Sequence, residues 1–146
     1  MYHFIGIKGA GMSSLAVIMK NLGYEVQGSD VDKHYFTEAE LIKNNIPILS
    51  YNENNITNNI TIIKGLSITE DNVELKKARE LNLEIINYNE MVVILTKKFK
   101  TICIAGCHGK TTTTAMTAHV LDKIKGINYL IGDGTGSANS QNEFFA

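Results

Sequence analysis

The stretch "YHFIGIKGAGMSSLAVIMKNLG" at residues 2–23 indicates the fold class. Residues 2–7 are a short apolar run that ends near glycine, which is typical of a buried strand. Four apolar residues then recur at helical spacing and predict one apolar helix face, and Gly23 ends the helix. These four residues are Met12, Leu15, Ala16 and Met19. A strand, a glycine turn and a helix in this order are typical of a nucleotide-binding α/β unit.

The following residues alternate between strand and helix patterns. Strands are predicted over 24–30, 46–50, 60–65 and 83–87. Thr37 with Glu40, and Asn87 with Glu90, predict capping boxes for two helices, and residues 69–82 predict a third. The alternation favours a parallel sheet with right-handed crossovers, and therefore an α/β fold.

The charged segment "TKKFK" at residues 96–100 is the best candidate for a linker. We therefore predict a Rossmann-like parallel-sheet domain over 1–97 and the truncated start of a P-loop α/β domain over 98–146. Within the second unit the pattern predicts a strand, a helix, a strand, a loop and the beginning of another strand. Their predicted ranges are 101–106, 110–124, 127–132, 133–142 and 143–146.

Composition excludes several classes of protein. The chain has 146 residues, of which 44% are hydrophobic, so a packed core is expected rather than disorder. Its 14 basic and 15 acidic residues give no positive surplus for nucleic acid or an anionic membrane. A signal peptide and an apolar run of the ~20 residues that a membrane span needs are both missing, which favours a cytoplasmic location. Cys103 and Cys107 are too few for a metal site, and Cys103 is expected in the core.

The first glycine cluster, Gly6-Ile7-Lys8-Gly9-Ala10-Gly11, predicts a phosphate site. Glycines let the backbone approach a phosphate, and a helix N-terminus offers free N–H groups with a partial positive charge. The spacing G-x-x-G-x-G differs from the usual NAD fingerprint, which argues against NAD. Asp30 ends the next strand, where an acid could accept hydrogen bonds from a ribose or a nearby group. The alternative is that these glycines serve only a tight turn and close helix packing.

The second cluster, "AGCHGKTTTT" at residues 105–114, is a more specific signal. Gly106 and Gly109 leave room for backbone N–H groups to point at phosphate oxygens. Lys110 can reach the β and γ phosphates, and Thr111 can ligate Mg²⁺. Thr112 lies in the first helical turn, where it can also meet a phosphate. The loop is shorter than the common G-x-x-x-x-G-K-[ST], because Ile104 stands where the first glycine would be.

Together the two loops resemble the Mur ligases, the ATP-dependent amide-bond-forming enzymes of peptidoglycan precursor synthesis. The motifs "HFIGIKGAGMSSLA", "GYEVQGSD" and "GCHGKTTTTAM" carry the resemblance, which covers the whole chain. They are most similar to the branch that joins L-alanine to UDP-N-acetylmuramate. Lys8 and Cys107 depart from the usual family pattern, in which a glycine and a threonine stand at those positions.

The resemblance implies ATP and Mg²⁺ as cofactors, UDP-N-acetylmuramate and L-alanine as substrates, and an acyl phosphate as intermediate. It implies Lys110 and Thr111 as catalytic residues, with Thr111 on the metal. The implied ATP-binding residues are Gly106, Cys107, His108, Gly109, Lys110, Thr111 and Thr112. The implied UDP-binding residues are Gly9, Ala10, Gly11, Met12, Ser13 and Asp30. The ring of His108 could touch a phosphate, or its backbone alone could do so.

The position of the second loop suggests that the chain is an N-terminal fragment, which we expect to be inactive as a ligase by itself. Two alternatives stay open. The chain could be a stand-alone module that binds a UDP-sugar without turnover, or part of the related ligase that attaches a recycled tripeptide to UDP-N-acetylmuramate.

Overall fold

A five-stranded parallel sheet forms the centre of the first hundred residues in the computed structural model, which describes residues 1–138 and the backbone of 144–145. Its strands are β1 (Tyr2–Ile5), β2 (Val26–Asp30), β3 (Ile48–Ser50), β4 (Thr61–Lys64) and β5 (Ile85–Asn87). They lie in the order β3-β2-β1-β4-β5, and every pairing is parallel. The predicted parallel α/β sheet is therefore confirmed, and its strand order reverses between β1 and β4.

Helices cover both faces of this sheet. They are α1 (Ala10–Asn21), α2 (Glu38–Lys43), α3 (Val73–Glu80) and α4 (Tyr88–Thr96), with a 3₁₀ turn at Glu53–Asn55. Phe4 and Ile63 point to the face covered by α1, α2 and α4, whereas Ile5 and Ile62 point to the face covered by α3. Alternate residues of the central strands thus enter two separate cores, as the two-residue period of a strand requires.

The remaining residues form a smaller unit beside α1. Its elements are β6 (Lys100–Thr101), α5 (Lys110–Lys125), β7 (Tyr129–Leu130), β8 (Gly136–Ser137) and β9 (Phe144–Phe145). Strand β6 pairs with β9 in parallel, and β7 pairs with β8 as an antiparallel hairpin. The hairpin packs on α1, where a Cβ on Gly136 would lie 3.1 Å from side-chain atoms of Ser14 and Ile18.

This packing changes the environment of α1. The sequence predicts one apolar face, but every residue from Met12 to Met19 is buried. The sheet covers one side of the helix and the β7–β8 hairpin covers another, since Leu130 and Ala138 pack against the same core. The small residues Ser13 and Ser14 accommodate this contact, and each hydroxyl donates to the carbonyl of Ala10 at 3.0 Å.

One of the two predicted capping boxes is wrong. The Thr37 hydroxyl does not cap α2 but donates to the carbonyl of Lys8 at 2.6 Å. At the N-terminus of α2 the carboxylate of Glu38 instead accepts a hydrogen bond from the backbone N–H of Tyr35 at 2.9 Å. At α4 the capping box is confirmed, with the Asn87 backbone N–H donating to Glu90 at 2.8 Å.

The strands of the second unit are shorter than predicted. Residues 102–106 are not a strand, and Cys103 is exposed rather than part of the core. Strand β7 covers only the middle of the predicted range 127–132, and β8 lies inside the predicted loop 133–142. The physical reason is that β6 and β7 each pair with a single two-residue strand, so little sheet forms to extend or cover them. Residues 139–142 of that predicted loop lie outside the described residues.

Among residues 1–138 and 144–145, no helix is both long and apolar enough to cross a lipid bilayer.

Candidate nucleotide-binding sites

The first glycine cluster lies at the carboxyl end of β1, next to β4, where the strand order reverses. In open α/β sheets this position is where ligands bind. A cavity of about 250 Å³ opens there. Its lining comprises Gly6, Gly9, Ala10, Gly11, Met12, Gly65, Leu66, Ser67 and Tyr88. Four of the six predicted UDP-binding residues thus line one cavity, namely Gly9, Ala10, Gly11 and Met12.

Glycine is required at two positions of this loop for different reasons. Gly6 has a φ of 85°, a conformation that other residues rarely adopt. Gly11 has no such constraint, but a Cβ there would lie 2.8 Å from the Tyr88 ring. The first glycine therefore makes the turn, and the second lets Tyr88 approach the start of α1.

The remaining two predicted UDP-binding residues stand apart from this cavity. Ser13 is buried under the β7–β8 hairpin, and its hydroxyl is bonded to the helix backbone. The Asp30 carboxylate accepts the backbone N–H of Lys8 at 2.8 Å and that of Val31 at 2.8 Å. Tyr51 also lies beside Asp30, and burial followed by the negative charge of this acid raises the pKa of Tyr51. In this structure Asp30 holds the glycine loop in place.

Sequence reasoning missed the part of the cavity that comes from beyond β4. Gly65, Leu66 and Ser67 directly follow that strand, and Tyr88 begins α4. Burial raises the pKa of Tyr88 above its ordinary value of 10.0, so its hydroxyl remains a possible hydrogen-bond donor well above neutral pH. The available signal was topological, because in a doubly wound sheet the loop after the fourth strand meets the loop after the first.

The second cluster places Gly109 directly before α5, with a φ of 76°. Lys110 begins the helix and is exposed, and its ammonium donates to the carbonyl of Gly106 at 2.7 Å. The ammonium therefore lies against its own loop, at the N-terminus of a helix. The predicted ATP-binding residues from Gly106 to Thr112 are contiguous on the surface.

The two helices that follow glycine clusters differ from the other α-helices in the described part of the chain. Neither α1 nor α5 has a side chain that caps its N-terminus, and neither has an acid in its first turn. In contrast, α2, α3 and α4 each carry a first-turn acid. The N-terminal N–H groups of α1 and α5 consequently keep their positive potential, which suits an incoming phosphate.

A magnesium site is supported by one donor. No cluster of three His, Cys, Asp or Glu side chains suitable for a metal occurs in the described residues. Thr111 offers a hard hydroxyl oxygen in the first turn of α5. Such a donor fits Mg²⁺, which typically binds through few protein oxygens together with phosphates and water.

Comparisons of the chain with known proteins point to one family. The sequence profile of the Mur ligase family, catalytic domain, matches residues 1–100. Two curated UDP-N-acetylmuramate–L-alanine ligases, from Lactiplantibacillus plantarum and Levilactobacillus brevis, are 46% and 44% identical over 145 residues. These alignments cover 99% of this chain and 33% of each relative, so the chain spans about a third of their length.

Solved structures show the same fold. The UDP-N-acetylmuramate–alanine ligase of Thermotoga maritima is 30% identical with a TM-score of 0.80, covering 99% of this chain and 36% of that one. The UDP-N-acetylmuramate:L-alanyl-gamma-D-glutamyl-meso-diaminopimelate ligase of Neisseria meningitides is 24% identical with a TM-score of 0.82, covering 99% and 50%. Because the Neisseria protein is only 24% identical, its similarity to this chain shows a shared fold and nothing more.

Proposed function

This chain belongs to the Mur ligase family, and we propose that it forms part of an ATP-dependent ligase that joins L-alanine to UDP-N-acetylmuramate. In this proposal residues 1–97 hold the UDP portion of the substrate, and residues 98–146 begin the ATP-binding domain. The proposal follows the curated relatives at 46% and 44% identity, both of which are L-alanine ligases.

The observation that carries the proposal is the pair of uncapped helix N-termini behind glycine loops. One borders the cavity at the switch point of the sheet, and the other bears Lys110 and Thr111. A reaction between a UDP-linked substrate and ATP needs two phosphate sites, and in this proposal each of the two helix N-termini would provide one. A dinucleotide-binding protein would need only the first.

The chemistry explains why such an enzyme needs a lysine at the second loop. A carboxylate is a poor electrophile because it is anionic and resonance-stabilised, so phosphorylation to an acyl phosphate supplies a leaving group for attack by the alanine amine. The Lys110 ammonium and the N–H groups of Gly109 and Thr111 would disperse charge on the transferred phosphoryl. When bound at Thr111, Mg²⁺ would neutralise further phosphate charge.

The first test is calorimetric titration of the chain with UDP-N-acetylmuramate, using UDP-glucose and NAD as control ligands. Because the chain spans about a third of the length of its relatives, the experiment measures binding rather than turnover. We expect binding of the muramate nucleotide in preference to both controls. Preference for NAD, or no binding of the muramate nucleotide, would contradict the assignment of the first loop.

A variant at Gly9 makes this test site-specific. Gly9 has a φ of −58°, and a Cβ there would find its nearest neighbour at 3.5 Å, an ordinary contact. Gly9→Ala should therefore fold like the wild type but place a methyl group in the cavity lining. We expect affinity to fall about tenfold, or about 1.4 kcal/mol, with an unchanged thermal midpoint. Unchanged affinity would show that phosphates do not approach this loop.

A further inference from the structure

Lys8 is the residue of the first glycine loop that most resembles a phosphate ligand, yet its side chain is turned away from the cavity. The ammonium donates to the carbonyls of Val31 at 2.8 Å and Lys33 at 2.9 Å. It also forms an ion pair with Glu38 at 3.0 Å. An ammonium has three hydrogens, and these three acceptors account for all of them. The side chain is only 9% exposed.

The backbone of Lys8 is bonded to the same region. Its N–H donates to Asp30 at 2.8 Å, and its carbonyl accepts the Thr37 hydroxyl at 2.6 Å. Every polar group of this residue therefore contacts residues 30–38, which run from the last residue of β2 to the first residue of α2. We refer to residues 31–38 as the β2–α2 segment.

Glu38 is the counterpart of Lys8 within the β2–α2 segment. One of its carboxylate oxygens accepts from the Lys8 ammonium and from the backbone N–H of Tyr35 at 2.9 Å. The other lies 2.9 Å from Nδ1 of His34. The hydrogen bond from Lys8, followed by that from Tyr35, lowers the pKa of Glu38 to about 2. The Glu38 carboxylate thus joins residues of the β2–α2 segment to one another and, through Lys8, to the glycine loop.

The β2–α2 segment carries exposed aromatic side chains beside the start of α1. Tyr35 is 37% exposed and Phe36 is 74% exposed. A Cβ on Gly134 would lie 3.5 Å from Ala10 and 3.6 Å from Phe36, so this ring lies near the N-terminus of α1. Exposed rings adjoining a phosphate-binding helix can offer apolar surface to a nucleotide.

We propose that Lys8 is a positioning residue for the nucleotide site, which fixes the β2–α2 segment against the glycine loop and does not contact the nucleotide phosphates. This inference rests on the proposed binding of a UDP-linked substrate by the first loop. It assigns recognition of the phosphates to backbone N–H groups. The charge of Lys8 is instead neutralised within the protein by its ion pair with Glu38.

The first experiment needs no ligand. Amide hydrogen exchange of the chain should be compared among wild type, Lys8→Met and Lys33→Met. Lys33 lies in the same segment, and its ammonium is 5.7 Å from the Tyr35 ring centre, so its variant removes an equal charge without touching the ion pair. We expect exchange in the β2–α2 segment to accelerate at least tenfold in Lys8→Met and to stay unchanged in Lys33→Met. Equal exchange in all three proteins would overturn the proposal.

The second experiment uses the sign of an affinity change. If the Lys8 ammonium bound phosphate, Glu38→Gln would free it and tighten the binding of UDP-N-acetylmuramate. If Lys8 is a positioning residue, Glu38→Gln should weaken binding about as much as Lys8→Met. In both variants the salt dependence of affinity should then match the wild type, because no charged contact with the ligand is lost.

The double variant Lys8→Met/Glu38→Gln guards against misfolding, since it leaves neither charge unpaired. Two residues that act as one unit should show non-additive effects, so its affinity should equal that of Lys8→Met alone. Tighter binding in Glu38→Gln, or additive losses, would overturn the proposal. If no variant and no wild type binds the nucleotide, the proposed function fails, whereas the exchange experiment still decides the role of Lys8.

Discussion

The two glycine loops have similar sequences but different surroundings. Each follows a strand or extended segment, contains one lysine and precedes a helix without an N-terminal side-chain cap. In the first loop Lys8 is buried and bonded to three acceptors of another segment. In the second loop Lys110 is exposed and bonded to the loop itself. The contrast teaches that packing, rather than residue type, decides whether a lysine is bonded inside the fold or stays exposed at the surface.

The largest expected effect is on the rigid surroundings of the first loop. A Cβ on Gly28 would lie 2.6 Å from the Phe4 carbonyl and 2.6 Å from Ile7, and the carbonyl belongs to a central strand that cannot move away. We expect Gly28→Ala to lower the free energy of unfolding by about 3 kcal/mol or more, measured by urea denaturation.

The matched variant in the second loop is Gly109→Ala. The nearest atom to the added Cβ would lie 3.9 Å away, so the alanine does not clash. The loss in the free energy of unfolding comes from the φ of 76° and should be about 1–2 kcal/mol. A cost at Gly109 equal to that at Gly28 would contradict the difference in packing between the two regions.

The strands and helices of the first unit could be predicted from the sequence because each depends mainly on neighbouring residues. Apolar runs identified the strands, and the glycine turn identified the start of α1. The burial of α1 on several sides was not predictable, since it depends on residues 129–138, more than a hundred positions away. The role of Thr37 was missed for a similar reason, because its side chain is bonded to the backbone of Lys8 rather than within its own element. Asp30 was predicted to accept hydrogen bonds from a ribose or a nearby group, and in this structure it accepts one from the backbone N–H of Lys8.

The second prediction concerns a buried polar network that the sequence did not reveal. Glu74 is buried on α3, and its carboxylate accepts from Ser29, from Asn55 at 2.7 Å and from the backbone N–H of Asn52 at 3.2 Å. His3, also buried, lies 3.3 Å away. Burial alone would raise the pKa of Glu74, but hydrogen bonds from His3, Ser29 and Asn55 outweigh it and lower the pKa.

Glu74→Gln replaces one of the two carboxylate oxygens with an NH₂ group, which is a donor, while the surrounding groups also donate. We therefore expect a loss of about 2 kcal/mol in the free energy of unfolding. The control is Glu80→Gln on the same helix, where the carboxylate is 66% exposed and pairs with Lys77. That variant should stay within about 0.5 kcal/mol of wild type in urea denaturation. Similar losses in both variants would show that the network adds nothing specific.

The third prediction tests the ion pair of the first loop by pH. The pKa of Glu38 is about 2 in the folded chain, compared with an ordinary value of 4.5. A carboxyl group with a lowered pKa stabilises the fold fully above its unfolded pKa, and this contribution disappears as the pH falls through the folded pKa. The stabilisation should therefore be complete above about pH 5 and should decline between pH 4.5 and pH 2.

Thermal midpoints of wild type and Glu38→Gln measure this contribution directly, because the other acids are common to both proteins. The difference between the two midpoints should be present above about pH 5, where Glu38 is ionised, and should shrink towards pH 2. The control is Glu40→Gln, whose carboxylate is 55% exposed beside Lys43. A difference for Glu38→Gln that does not vary with pH would mean that Lys8 and Glu38 do not form the pair.

The smallest expected effect is in the second unit, at a position where the sequence was misleading. The apolar run 101–106 predicts a buried strand with Cys103 in the core, but a strand is buried only where neighbouring strands and helices cover it. Here β6 ends at Thr101, and the Cys103 side chain is exposed. We expect Cys103→Ser to change the free energy of unfolding of this chain by less than about 0.5 kcal/mol. A loss of about 1–3 kcal/mol would instead mean that the thiol is buried against apolar partners and that the second unit is packed as tightly as the first.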